Sequence, residues 1–363
     1  MTDAITFAHG PAWPNRLVLA PMTTRQSHGD GSVSDEEIAW LAACSAGGFG
    51  AVISSAAFVS RRGRKWLGAF GISDDDQLPG LGRLAAGIRA GGARSFVQLH
   101  HGGRRFLRDL TGAPGQSPWD DPESDAIAMT TAEVAGVVRD FVAAAVRAER
   151  AGFDGVELHG GHGYLIGQFL DARFNARTDR YGGSLDGRLR FLMELIEGIR
   201  EATGPAFQLG VRLTPEGYGI TLDDGREHAR QVMATGYLDF VDMSLWDVHM
   251  KPRHGDPGLL IDHVVDLPRG ATRLGVTGTV RSAADVAWSL EQGADFVGVA
   301  KGAILHRDFA SRAMADPDFV ADPLPVPAGV LREHGLSAAF VEYLGEDFTD
   351  VLTAVVDTPS APS

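Results

Sequence analysis

The chain has one cysteine, Cys44, in 363 residues. A lone thiol excludes an internal disulfide and any cysteine-ligated iron–sulfur cluster. Cys44 ends the apolar run Trp40-Leu41-Ala42-Ala43, so a buried structural thiol is expected. Positive charge is also scarce: 33 Lys and Arg oppose 47 Asp and Glu, a formal net charge of −14. Nucleic-acid partners need a basic footprint and are not expected. Docking on an anionic membrane is disfavoured for the same reason. No apolar run approaches the roughly 20 residues of a bilayer-crossing helix. The first residues carry no charged stretch leading into an apolar one, so no secretory signal is expected. These absences point to a soluble, cytoplasmic protein. Also missing are a GxxxxGK[ST] phosphate loop, an early Rossmann GxGxxG and a GxSxG nucleophile elbow.

What is present is ample apolar material, 44% of the residues, enough for a large core. Short apolar or β-branched runs recur at 16–20, 51–54, 95–99, 155–158, 208–213, 240–244, 273–276 and 296–299. Segments with helical periodicity follow, at 35–46, 131–151, 185–202 and 283–292 among others. Strand–helix alternation implies a parallel sheet, and eight such units fit a (β/α)₈ TIM barrel. The expected architecture is one α/β domain over 1–350 with long loops at its C-terminal face, then a tail at 351–363. An open doubly wound sheet is the alternative. The stretch 109–130 has no clear period and reads as a long excursion, a lid or a small hairpin. A second long loop covers 245–260. The last residues, 357–363, are small and polar, and fraying is expected there.

Polar and glycine-rich residues cluster just after these runs, where a barrel builds its active site. The segment Val156-Glu157-Leu158-His159-Gly160-Gly161-His162-Gly163-Tyr164 is the most informative. Two imidazoles and a phenol suit a substrate whose oxygen gains negative charge. Metal ligation and a purely structural turn are the competing readings of the pair. Arg212, inside an apolar strand, needs either an anionic ligand or a buried ion pair. Gln98 offers both a donor and an acceptor to a ring edge, or is a satisfied core amide. Gly278-Thr279 and Ala300-Lys301 follow the last two strands, where barrels commonly hold phosphate.

Together these pieces resemble the old yellow enzyme family of FMN-dependent ene-reductases, also called NADH:flavin oxidoreductases. The resemblance runs through Asn15 to Thr23, the Gln98 strand, His159 to Leu170, Asn175 to Ser184 with Arg188, the Arg212 strand and both phosphate-type loops. It implies FMN at the C-terminal face of the barrel. Pro21, Met22, Thr23, Ala56, Gln98 and Arg212 would border the ring, and Gly278, Thr279, Ala300 and Lys301 the phosphate. It implies NADPH or NADH as hydride donor and a small α,β-unsaturated carbonyl compound as substrate. His159 and His162 would grip the carbonyl oxygen and Tyr164 would supply a proton, with no metal. Other flavin-dependent reductions, and a flavin protein without turnover, are the alternatives. A homodimer is compatible with an exposed barrel face. The chain departs from the family pattern at Ala300-Lys301, where Gly-Arg is common. It departs at Thr23, which replaces one subgroup's cysteine, and at Asp186-Gly187, which replaces Glu-Asn. It also departs at Gly160-Gly161, where a looser histidine pair is expected.

Overall fold

The structure is a computed structural model and describes residues 1–348 and 350–352. Ten strands occur among them: β1 Leu17–Leu19, β2 Ala51–Phe58, β3 Arg94–His100, β4 Gly115–Ser117, β5 Ala126–Ala128, β6 Gly155–His159, β7 Gln208–Leu213, β8 Phe240–Trp246, β9 Arg273–Gly278 and β10 Phe296–Val299. Eight of them close a parallel barrel in the order β1-β10-β9-β8-β7-β6-β3-β2. This is the expected (β/α)₈ barrel and excludes the open sheet. All eight expected strand positions are occupied. β2 runs on to Phe58, with a register irregularity between Ile53 and Ala56.

Helices cover the outside because their apolar residues recur at helical spacing. Thr131–Ala151 buries Val134, Val137, Phe141, Ala144, Ala145 and Ala148. Its start is set by a capping box: Thr130 Oγ1 accepts from Glu133 N, and Glu133 Oε2 accepts from Thr130 N. Such a cap stabilises the helix by about 1 kcal/mol. Its end is Gly152, at φ 90°, a left-handed geometry that costs glycine little.

The barrel interior is layered. At the N-terminal end Trp13 is fully buried, with ring centroids 5.5, 5.2 and 5.2 Å from Phe96, Phe240 and Phe296. Its indole N–H donates to Gln208 Oε1 at 2.9 Å, so even its polar atom is satisfied. This plug closes the bottom. Above it lies a polar layer, and the open top forms the cleft described below.

The 109–130 excursion holds β4 and β5. They pair in parallel, with Gly115 opposite Ala126, so this is a two-stranded sheet and not a hairpin. The connection folds back on itself through an Asp121–Ala126 bridge, which places both strands in the same direction. After β10 the chain returns across the open end of the barrel. Its last helix, Ala338–Asp347, is capped by Ser337 Oγ, which accepts from Phe340 N at 3.2 Å. Residues 353–363, including the stretch expected to fray, lie outside the described residues.

Candidate active site

A cleft of about 370 Å³ opens at the C-terminal end of the barrel. Pro21, Met22 and Thr23 enter it after β1, Ala56 from β2 and Gln98 from β3. Arg212 enters from β7, and Ala300 and Lys301 after β10. His159, His162 and Tyr164 form another wall. Gly278 and Thr279 are not part of the lining. Gly278 packs against the 246–247 backbone, where a Cβ would stand 2.8 Å from Asp247 N. Thr279 Oγ1 donates to the Trp246 carbonyl at 2.7 Å.

The glycine pair is pinned, not loose. Gly160 N–H donates to the Arg212 carbonyl at 2.8 Å, and a Cβ on Gly160 would lie 2.8 Å from that same oxygen. His162 N donates to Thr214 Oγ1 at 3.0 Å, and a Cβ on Gly161 would lie 2.8 Å from that hydroxyl. His162 and Gly163 both take left-handed backbone, φ 58° and 69°. Arg105 Nη1 holds the His162 carbonyl at 2.6 Å. Two glycines are needed because β7 comes this close.

The rings converge. The His159 centroid is 5.1 Å from that of His162, nearly perpendicular at 84°, and 5.0 Å from that of Tyr164. Burial holds His159 well below the ordinary histidine range, and His162, His100, Arg212 and Arg105 push the same way. Burial lowers His162 to about 3, with Arg212 and Arg105 adding to it. Both imidazoles are therefore neutral near pH 7. His162 Nε2 lies 2.8 Å from Ser244 Oγ, and Arg212 Nη2 donates to that same oxygen at 3.1 Å. The Ser244 hydroxyl can accept from Arg212 and either give a proton to His162 Nε2 or accept one from it, so it joins the histidine to Arg212 in either tautomer. His159 Nδ1 is buried without a protein partner. Burial pushes the Tyr164 phenol up to about 12, although Arg105 opposes the shift. The Arg105 guanidinium sits 4.6 Å above the Tyr164 ring centroid.

Beneath the cleft, the two readings of Arg212 hold together. Its Nε lies 3.2 Å from Asp242 Oδ2, a buried ion pair, while the guanidinium also borders the cleft. Asp242 Oδ1 accepts from Thr277 Oγ1 at 2.8 Å. Gln98 Nε2 donates to Glu157 Oε1 at 2.7 Å, which leaves the amide oxygen free as an acceptor. Burial raises Glu157, and Asp242 raises it further, so Glu157 resists losing its proton. Register explains the grouping: Gln98 pairs across strands with Glu157, and Arg212 with both His159 and Asp242.

Sequence reasoning missed Glu157 and Asp242 as parts of the site. Strand alternation was the available signal, since Glu157 shares a face with His159. Trp66, Arg105, Tyr218, Trp246 and the C-terminal Phe340, Tyr343, Leu344, Phe348 and Val351 also line the cleft. Nothing local in sequence marks the C-terminal group, because only the returning chain brings it there. As for metal, His101 Nδ1 accepts from Gly103 N at 3.1 Å and His249 faces Asp285 at 3.3 Å. Among the described residues, no group of three or more His, Cys, Asp or Glu is placed to hold an ion. None of the described helices is long and apolar enough to cross a membrane.

A family model described as the NADH:flavin oxidoreductase / NADH oxidase family matches residues 11–316. The chain belongs to this family, the old yellow enzymes. It is 36% identical over 314 residues to a probable NADH-dependent flavin oxidoreductase of Bacillus subtilis, covering 82% of this chain and 83% of that one. It is 32% identical over 314 residues to the NADH oxidase of Thermoanaerobacter brockii, covering 82% of this chain but 48% of that longer one. Among solved structures, morphinone reductase in complex with tetrahydroNAD superposes with a TM-score of 0.77 at 25% identity, covering 94% of this chain and 96% of that one. This old yellow enzyme is an FMN-dependent, NAD(P)H-linked oxidoreductase.

The cleft suits FMN on its own chemistry. The Arg212 guanidinium borders the cleft, and the Gln98 oxygen is a free acceptor. Both match the alternating donors and acceptors of a flavin ring edge. Lys301 supplies a cation at the far end, where it pairs with Asp350 and stands 5.9 Å from the Phe348 ring centroid. A phosphate at Lys301 would compete with Asp350.

Proposed function

We propose that this old yellow enzyme reduces the C=C bond of α,β-unsaturated carbonyl compounds with NADH or NADPH. The supporting observation is the meeting of two neutral imidazoles and one protonated phenol on a single wall of the cleft. When bound, FMN supplies the hydride exchange between dinucleotide and acceptor. Thr23, Gln98 and Arg212 would hold its ring, with Pro21, Met22 and Ala56 as an apolar border. Ala300 and Lys301 would hold its phosphate, with Gly278 and Thr279 left outside the cleft.

His159 and His162 donate hydrogen bonds to the substrate carbonyl oxygen. Negative charge builds on that oxygen during reduction, so the bonds strengthen in the transition state. Neutral imidazoles do this without first gaining or losing a proton. Tyr164 keeps its proton at Oη and delivers it to the α carbon. Arg105 above the ring steadies the phenolate that remains.

The test is anaerobic. NADPH bleaches the yellow enzyme, and 2-cyclohexenone then restores the colour. An enone that restores nothing overturns the proposal. Tyr164→Phe bleaches normally but turns over enone about 10²- to 10⁴-fold more slowly, the usual worth of a general acid. Unchanged enone turnover would remove Tyr164 from this role.

A further inference from the structure

Beside the cleft lies a second hollow of about 470 Å³, and Arg105 and Tyr218 line both. Four cations border it: Lys65, Arg104, Arg105 and Arg173. Two of them are committed. Arg104 pairs with Asp121 and donates to Ser124 Oγ at 3.3 Å. Arg173 pairs with Asp171, also in the lining, at 3.1 Å. Asp171 is spent locally as well, since its Oδ1 accepts from the backbone N–H of Arg173 and Phe174.

Lys65 and Arg105 are different. Neither makes an ion pair with a carboxylate among the described residues. Arg105 is held in place by the His162 carbonyl and the Tyr164 ring, both part of the catalytic wall. Lys65 is half-buried, and burial together with Arg105 lowers its pKa, while Asp347 pulls it upward. Two cations that repel each other are thus kept together in a chain of net charge −14. Lysine is otherwise rare: only Lys65, Lys251 and Lys301 occur, and two of the three border the cleft or its annex. A pair of unneutralised cations raises the local potential for anions and rewards a ligand that neutralises it.

We propose that this annex binds an anionic group, carboxylate or phosphate, carried by a ligand whose other end occupies the cleft. The geometry permits one ligand to span both. The Arg105 guanidinium carbon is no more than about 10 Å from the His159 ring, because both flank Tyr164. A substrate carbonyl at His159 and His162 and a charged arm at Lys65 and Arg105 fit within one small molecule. For the substrate arm, this rests on the enone reading above. The phosphate of a bound dinucleotide carries the same chemistry and is the second source.

The test uses the holoenzyme and a cyclohexenone bearing a carboxymethyl arm, compared with its methyl ester. Wild type prefers the acid in kcat/KM, and the preference shrinks as salt is raised. In Lys65→Gln and in Arg105→Gln the acid-to-ester ratio falls by about fivefold or more, and Lys65→Arg restores it. The ratio cancels any general loss from disturbing Tyr164. If the acid-to-ester ratio holds but the ratio of kcat/KM for NADPH to that for NADH falls in both variants, the annex takes a dinucleotide phosphate. If neither ratio moves in either variant, the proposal is overturned. Titration calorimetry with the carboxylated enone, without dinucleotide, reports annex binding even if no enone is reduced. A failure of the enone reading is therefore distinguishable from a failure of this one.

Discussion

Gly160→Ala tests whether β7 truly sets the histidine clamp. The added Cβ would stand 2.8 Å from the Arg212 carbonyl and 2.9 Å from Leu213 Cδ2. The first of these is backbone in a closed barrel and cannot swing aside. Relief comes only by moving the turn away, which stretches the Gly160 N–H bond to the same oxygen, now 2.8 Å. Overpacking of this kind costs about 1–3 kcal/mol. In a protein of this size that lowers the melting temperature by a few degrees, at roughly 2–4 °C or less per kcal/mol. The kinetic effect is larger in proportion. His162 is tied to β7 through Thr214, while His159 precedes the moving turn, so the two donors separate. A displacement near 1 Å at reacting groups costs up to about 100-fold in rate. The expected result is a fall in kcat/KM for 2-cyclohexenone of about tenfold to 100-fold. Thermal unfolding by circular dichroism and steady-state turnover measure the two effects. Gly161→Ala is the internal comparison: its Cβ meets a Thr214 hydroxyl that can rotate, so the loss of stability is smaller, although the rotation gives up the His162 N–H bond. A Gly160→Ala protein that melts and turns over like wild type refutes the reasoning.

Acid sensitivity follows from the buried neutral histidines. His101 and His228 are lowered by burial to about 4 and His162 to about 3, and burial also holds His100 and His159 well below the ordinary histidine range. Their contribution is complete above pH 6.5, the unfolded value, and is lost as pH falls toward the folded values, at up to about 1.4 kcal/mol per unit for each. Glu37, Glu157 and Asp242, raised by burial, work the other way and offset part of it. Five histidines outweigh them between pH 6.5 and 5, so the urea midpoint falls over that range; a constant midpoint refutes buried neutrality. If Lys301 holds the FMN phosphate as proposed, Lys301→Gln weakens FMN retention, whereas Asp350→Asn strengthens it by up to about fivefold, because an exposed competing pair is worth no more than about 1 kcal/mol. Flavin fluorescence on titration of the apoprotein measures both. Trp13→Ala empties the barrel plug and costs about 3–5 kcal/mol in urea unfolding, with little change in FMN affinity, since the cavity lies at the opposite end.

Much of the site was legible in sequence because its chemistry sits at strand ends. A parallel barrel turns the end of each apolar run into a position on one rim, so finding eight runs locates the residues that follow them. His159, His162, Tyr164, Gln98, Arg212 and Ala300-Lys301 were identifiable on that basis, together with their resemblance to a family pattern. Gly278 and Thr279 follow the same rule yet stay out of the lining, because Trp246, at φ 60°, folds the 245–260 loop against them.

What the sequence by itself determined was local: period, caps, strand count and the residue types at each strand end. Tertiary structure decided the pairings between distant segments. Gln98 meets Glu157, and Arg212 meets Asp242, through strand register. Tyr343 and Phe340 reach the cleft through a helix that returns over the barrel. Lys65 and Arg105 share a hollow across two loops. The reason is physical. Propensity and period act over a few residues, whereas charge, burial and hydrogen bonding act over a few ångströms, and only the folded chain makes those distances short.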